Sequence, residues 1–177
     1  MAREVGVNAE PVGAGEPACA LDGATQAQVV NLLQDLQREM DIAFLFIAHD
    51  LAIVRHFCPE IAVMYLGVIV EMGTASQVYG EPRHPYTQAL LSSIPRPDPA
   101  LADRHPIVLR GDIPSPANIP TGCRFHGRCP YAFEMCSTVV PPLIAMPDGG
   151  TVACHLHTDG PVLAGASVNE LLRKNAN

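Results

Sequence analysis

At 177 residues, the chain has room for one domain, or one and a fraction, at roughly 100–200 residues per domain. Its 48% hydrophobic content, with 16% charged residues, provides for a packed core and excludes wholesale disorder. A net charge of −7 argues against a non-specific nucleic-acid binder, which presents a basic face.

The longest apolar run, residues 61–70, contains a tyrosine and a glycine and falls short of the roughly 20 residues a spanning helix needs. No apolar stretch follows Arg3, so the N-terminus does not read as a secretory signal, and a cytoplasmic chain is expected. Six cysteines without an export signal point to metal or redox chemistry rather than structural disulfides.

Residues 1–15 are Gly, Ala, Pro and Glu in no periodic order and read as a flexible leader. From Thr25 the apolar residues Val29, Leu32, Leu33, Leu36 and Met40 follow the spacing of one buried helix face. Residues 42–48 form a short continuous apolar run, the pattern of a strand buried on both faces of a parallel sheet. His49 and Asp50 close that strand, and ligands bind at the carboxyl ends of strands in open α/β sheets. A short helix is expected over 51–57. Residues 61–66 and 68–72, divided by Gly67, read as a tight hairpin. Short helices are expected over 74–79 and 86–93, on either side of a turn forced by Pro82, Arg83, His84 and Pro85.

Residues 96–105 then form a proline-rich linker, stiff and extended. Residues 106–157 hold four cysteines and many prolines but few apolar runs, so this segment is expected to need a staple. The tail, 158–177, carries one short helix near Val168.

Cys123, Cys129, Cys136 and Cys154 are spaced C-x5-C-x6-C-x17-C. Four thiolates can hold zinc or an iron-sulfur cluster. The wide steps favour a 4Fe-4S cluster over zinc, whose ligands usually come in closer pairs. Arg124 and Arg128 flank the first two thiols and would offset the charge of a ligated cluster. Cys19 and Cys58 stand apart and read as structural. His126 and His155 adjoin the cysteines, while His56, His105 and His157 belong to no constellation.

In order, the stretches EPACALDGATQAQVVNLLQDLQ, FLFIAHDLAIVRHFCPEIAVMYLGVIVEMG, PRHPYTQALLSSIP, GDIPSP, GCRFHGRCPYAFEMC and VACHL resemble the C-terminal half of oligopeptide and dipeptide ABC-transporter ATP-binding subunits. The resemblance covers residues 16–156. It implies an α/β fold: part of a P-loop ATPase-type parallel sheet with flanking helices over 16–95, then a loop-rich cysteine-containing extension over 106–157. It also implies roles for particular residues. Glu16 matches the glutamate that activates the attacking water, Asp22 the D-loop aspartate at the dimer of nucleotide-binding domains, and His49 the switch histidine that senses the γ-phosphate. The four cysteines match those that hold an iron-sulfur cluster, and His84, Pro85 and Tyr86 match a structural HPYT element. The partners implied are permease subunits and a second ATP-binding subunit, with the assembly peripheral on the inner face of the cell membrane.

The departures are as specific as the matches. Within the 177 residues there is no G-x-x-x-x-G-K-[ST], so the phosphate cradle and its lysine are missing. The Q-loop and the signature motif are missing too. Gly15 stands where the magnesium-binding aspartate belongs, and a leader stands where its strand belongs. The sequence therefore predicts a piece of a peptide-importer ATPase that does not hydrolyse ATP alone, with ATP and Mg confined to the complete subunit. The competing reading is a stand-alone iron-sulfur- or zinc-binding regulatory or scaffold module.

Overall fold

The structure, a computed structural model, describes residues 12–15, 23–40, 42–47, 51–94, 106–115, 117–158, 163 and 165–171. The chain divides into two compact units, Met1–Cys58 and Pro59–Asn177.

In the first unit, strand β1 (Val12–Gly15) is followed by helix α1 (Gly23–Met40), strand β2 (Phe44–Ile47) and helix α2 (Leu51–Phe57). β1 pairs with β2 in parallel, from Val12 opposite Phe44 to Gly15 opposite Ile47. Two adjacent parallel strands require a crossover, which α1 supplies. This corrects the reading of residues 1–15 as leader throughout, because their last four form a strand. Gly, Ala and Val carry no alternating pattern, so the pairing comes from the partner strand and not from local preference.

The expected buried faces are only partly closed. Leu32 and Met40 of α1 are 59% and 61% exposed, and Leu45 and Ile47 of β2 are 62% and 60% exposed. On the other side of β2, the rings of Phe46 and Phe57 meet at 5.2 Å, packing α2 against the strand.

The second unit contains strands β3 (Glu60–Tyr65) and β4 (Val68–Thr74), helices α3 (Ala75–Gly80), α4 (Pro85–Ser92) and α5 (Glu134–Thr138), and strands β5 (Ile144–Ala145) and β6 (Thr151–Val152). The sheet order is β3-β4-β6-β5, antiparallel throughout. The architecture is thus mixed α/β, but the larger described sheet is antiparallel, not the parallel sheet expected.

The β3–β4 hairpin turns at Leu66 and Gly67, whose φ angles are 46° and 78°. Two positive φ values mark the tight turn that matches strand twist, and Gly67 meets this requirement without strain. The register shifts between Val63, opposite Glu71, and Met64, opposite Ile69, leaving Val70 as an extra residue on β4. Because of this bulge Val70 and Glu71 are both buried, while Ile69 and Met72 point outward. The Val70 carbonyl accepts a 2.8 Å hydrogen bond from the Ala153 N–H. α3 begins with a capping box between Thr74 and Gln77, and α4 begins with His84 as N-cap and a proline inside the first turn.

The segment expected to lack a core has one. Met146, Val152, Cys154 and Leu156 pack with Leu163, Val168 and Leu171, with Tyr131 and Phe133 against them. Its apolar partners come from the tail, and β6 joins the sheet beside β4. The boundary expected at residue 95 instead falls within one compact unit. Composition counted inside a window cannot show partners that lie outside it.

Candidate functional site

Two groups of sequence-marked residues fall within the described structure: the HPYT element and the four cysteines. The first is a buried knot around Glu71, which is 3% exposed. Its Oε1 accepts the Arg83 N–H at 2.8 Å and its Oε2 the His84 N–H at 2.9 Å. Burial pushes the Glu71 carboxyl up, and these two N–H donors oppose the shift. The Arg83 guanidinium reaches Asp148 Oδ2 and donates to the Gly165 carbonyl at 3.1 Å. His157 Nε2 lies 2.7 Å from the Arg83 carbonyl, to which it donates. His84 Nδ1 accepts the Tyr86 N–H at 3.0 Å, and the ring contacts Phe125, which Tyr65 also meets edge-on and Tyr86 at a tilt. Burial, with the nearby His157 as a lesser cause, holds His84 down at about 3, so it is neutral. Further bonds run from the Val168 N–H to the Pro82 carbonyl and between Gln88 and Asn169.

Residues 82–88 therefore tie β4 to the far end of the chain. Sequence reading missed Glu71, Arg83 and His157 in this role. The available signal was a carboxylate inside the apolar run VIVEMG, since a charge in a strand core needs partners.

The four cysteines come from different local structures. Gly122, at φ 65°, lies so close to the Cys136 carbonyl that a Cβ there would stand 2.5 Å from its oxygen. This close approach lets the Cys123 N–H reach the same carbonyl at 2.8 Å. Cys129 closes a 3-10 turn, Cys136 sits in α5, and Cys154 precedes a second 3-10 turn. Burial pushes the Cys129 thiol up to about 12 and raises Cys123 and Cys154 as well, with the neighbouring thiols adding to the effect. His126 Nδ1 bonds the Cys123 carbonyl and His155 Nε2 the Val139 carbonyl, both at 2.8 Å.

Here the structure corrects the sequence reading. The thiols are near enough to perturb one another, yet among the described residues no group of three or more His, Cys, Asp or Glu side chains is arranged to hold a metal ion. The expected 4Fe-4S cluster on Cys123, Cys129, Cys136 and Cys154, and the zinc alternative, do not fit this arrangement. Nor does the segment lack a core that a staple would replace, because Cys154 belongs to the apolar cluster described above and Cys136 is buried. Arg124 donates to the Leu66 carbonyl instead of facing a cluster.

Glu16, Asp22 and His49 lie outside the described residues, as do Cys19 and His105. In sequence, Glu16 directly follows β1 and His49 comes two residues after β2.

Comparison with known proteins shows what the chain is similar to. The description "Oligopeptide/dipeptide transporter, C-terminal region" matches residues 70–136, from β4 through α5. A Sinorhizobium fredii protein described as a probable peptide ABC transporter ATP-binding protein is 50% identical over 156 residues, 88% of this chain and 44% of that protein. The chain is homologous to the C-terminal region of peptide ABC-transporter ATP-binding subunits. AppF, an oligopeptide transport ATP-binding protein of Bacillus subtilis, is 46% identical over 159 residues, 89% of this chain and 48% of AppF. The chain thus spans about half the length of these peptide-transporter relatives. The matched C-terminal region contains Glu71, Arg83, His84, Cys123, Cys129 and Cys136, while Cys154 lies beyond it. Among the described residues no helix is long and apolar enough to cross a membrane.

Proposed function

We propose that this chain is the C-terminal portion of the ATP-binding subunit of a peptide importer, whose complete form couples ATP hydrolysis to oligopeptide or dipeptide uptake. The observation that carries this reading is 46–50% identity across nearly nine-tenths of the chain. In the complete subunit Glu16 serves as the base beside the attacking water, His49 contacts the γ-phosphate and Asp22 acts across the pair of ATP-binding subunits. The β1–β2 pairing supports this assignment, since both strands run in parallel and end just before Glu16 and His49. The smaller parallel sheet is then the remnant of a P-loop ATPase sheet. The partners are permease subunits and a second ATP-binding subunit, placing the assembly at the inner face of the membrane.

The residues present do not suit ATP and Mg by themselves. No phosphate-binding loop occurs in the 177 residues, and Gly15 stands where a metal-binding aspartate belongs. Phosphoryl transfer rests on positioning and charge stabilisation, so the chain alone is expected to lack ATPase activity. The test joins residues 16–177 of this chain to AppF cut just after its own metal-binding aspartate, so that Gly15 is left out, and measures ATP hydrolysis. Turnover by the chimera, with none by the chain alone, is the expected result. A folded chimera that fails to hydrolyse ATP would refute the reading.

A further inference from the structure

Two arginines flank Cys123 and Cys129, and the fold uses them differently. Arg124 donates to the Leu66 carbonyl at the β3–β4 turn. Arg128 takes no part in a described ion pair, and its Nε–H is buried without a hydrogen-bond partner among the described residues. A guanidinium stays charged and can only donate. A buried N–H on it therefore calls for an acceptor that also carries the opposite charge.

The same aromatic cluster carries a second unmatched hydroxyl. Tyr65, at the end of β3, is 5% exposed, and its Oη is likewise buried and unpaired among the described residues, although buried tyrosine hydroxyls ordinarily find a partner. The Tyr65 ring meets Tyr86 at 4.7 Å and Phe125 at 5.2 Å. The Arg128 N–H donates to the Phe125 carbonyl at 3.0 Å across the 3-10 turn. Burial is the chief cause raising the Tyr86 phenol; Tyr65 adds to the rise and Arg128 opposes it, as when one phenol lies within charge range of both groups. Gly111 backs the Arg128 stem, since a Cβ there would stand 4.0 Å from Arg128 Cγ. Arg128 and Tyr86 are half-buried, so solvent reaches the rim of the cluster.

We propose that Arg128 and the Tyr65 hydroxyl form a binding site for a small oxyanion, a phosphate or a carboxylate, at the rim of the Tyr65–Tyr86–Phe125 cluster. The guanidinium fork offers two parallel donors that match such a group, and the phenol adds a third. A water molecule would satisfy the hydrogen bonds but not the charge. The site uses none of the residues assigned to ATP and stands apart from the family reading.

The test titrates the purified 177-residue chain with sodium phosphate, sodium acetate or sodium chloride at matched ionic strength. It follows the melting temperature and the arginine Nε–H resonances in NMR spectra. The expected result is a saturable rise of about 3 °C or more with phosphate or acetate, together with a shift of the Arg128 Nε–H signal, and neither effect with chloride. Whichever of phosphate and acetate binds more tightly identifies the class of oxyanion. Tyr65→Phe keeps the ring against Tyr86 and Phe125 and removes an unpaired hydroxyl, so without oxyanion it should melt no lower than the parent. It should nevertheless bind the oxyanion about tenfold or more weakly. Arg128→Gln should lose at least as much affinity, and the disappearance of its Nε–H signal assigns the resonance. An equal effect from chloride would overturn the proposal. So would a Tyr65→Phe chain that binds as tightly as the parent, or no binding of either oxyanion.

Discussion

Replacing His84 with asparagine isolates the contribution of a buried neutral imidazole to acid sensitivity. In the folded chain His84 is 1% exposed and its pKa is held at about 3 against an ordinary 6.5. The folded state therefore refuses a proton that the unfolded state accepts, and stability is lost as pH falls below the unfolded value. Between about pH 8 and about pH 5 this costs about 2 kcal/mol, because the unfolded histidine is mostly protonated at the lower pH while the folded one is not. That is a large share of a typical stability of about 5–15 kcal/mol. Asparagine caps helices well but does not titrate. His84→Asn should lower stability at every pH through lost contact with Phe125, and it should flatten the acid slope by about 2 kcal/mol. Glu71, raised by burial, acts in the opposite sense: its contribution grows as pH falls through its folded pKa toward 4.5. Because Glu71 is present in both proteins, it cancels in the comparison. The assay is urea unfolding followed by circular dichroism at a series of pH values. Parallel stability-versus-pH curves for the two proteins would refute the buried, neutral assignment of His84.

The remaining predictions concern packing and folding units. Glu71→Ala removes the acceptor for the N–H groups of both Arg83 and His84 and should cost about 2–6 kcal/mol in urea unfolding, from two buried donors left unpaired at about 1–3 kcal/mol each. Glu71→Gln keeps one acceptor oxygen and should cost about half as much. Gly122→Ala sets a Cβ 2.5 Å from the Cys136 carbonyl oxygen at a φ of 65° and should destabilise by more than about 2 kcal/mol. Gly80→Ala meets nothing within 4 Å and should stabilise slightly, by about 0.4–1 kcal/mol, as thermal melts will show. The polypeptide Pro59–Asn177, a compact unit of the fold, should melt cooperatively without Met1–Cys58; a broad, non-cooperative transition would contradict that unit.

Local signals carried the elements well where the pattern lay within one segment. The helical spacing of residues 29–40 corresponds to α1, residues 51–57 to α2, and the break at Gly67 to the β3–β4 hairpin. The elements that depend on distant partners were not legible. β1 is a strand because β2 lies beside it, and nothing in VGAG announces that. The apolar spacing of α1 predicted burial, yet Leu32 and Met40 are exposed, since periodicity specifies a face but not what covers it. The cysteine spacing suggested a metal, whereas the fold uses Cys136 and Cys154 as small buried residues, Cys154 in a core completed by Leu163, Val168 and Leu171. Family resemblance singled out Glu16, Asp22 and His49, which lie outside the described residues, whereas the knot of Glu71, Arg83, His84 and His157 joins residues up to 86 positions apart in sequence, from 71 to 157, and only the folded chain brings them together.

The proposed reading makes Glu16 the water-activating residue and His49 the phosphate-sensing residue of a complete peptide-importer ATPase subunit. Its most direct test is ATP affinity and turnover measured side by side in the AppF chimera with Glu16→Gln. The expected result is retained ATP binding and a loss of turnover of about 10²–10⁴-fold, as when a general base is removed. Unchanged turnover, or an equal loss of binding and rate, would contradict it.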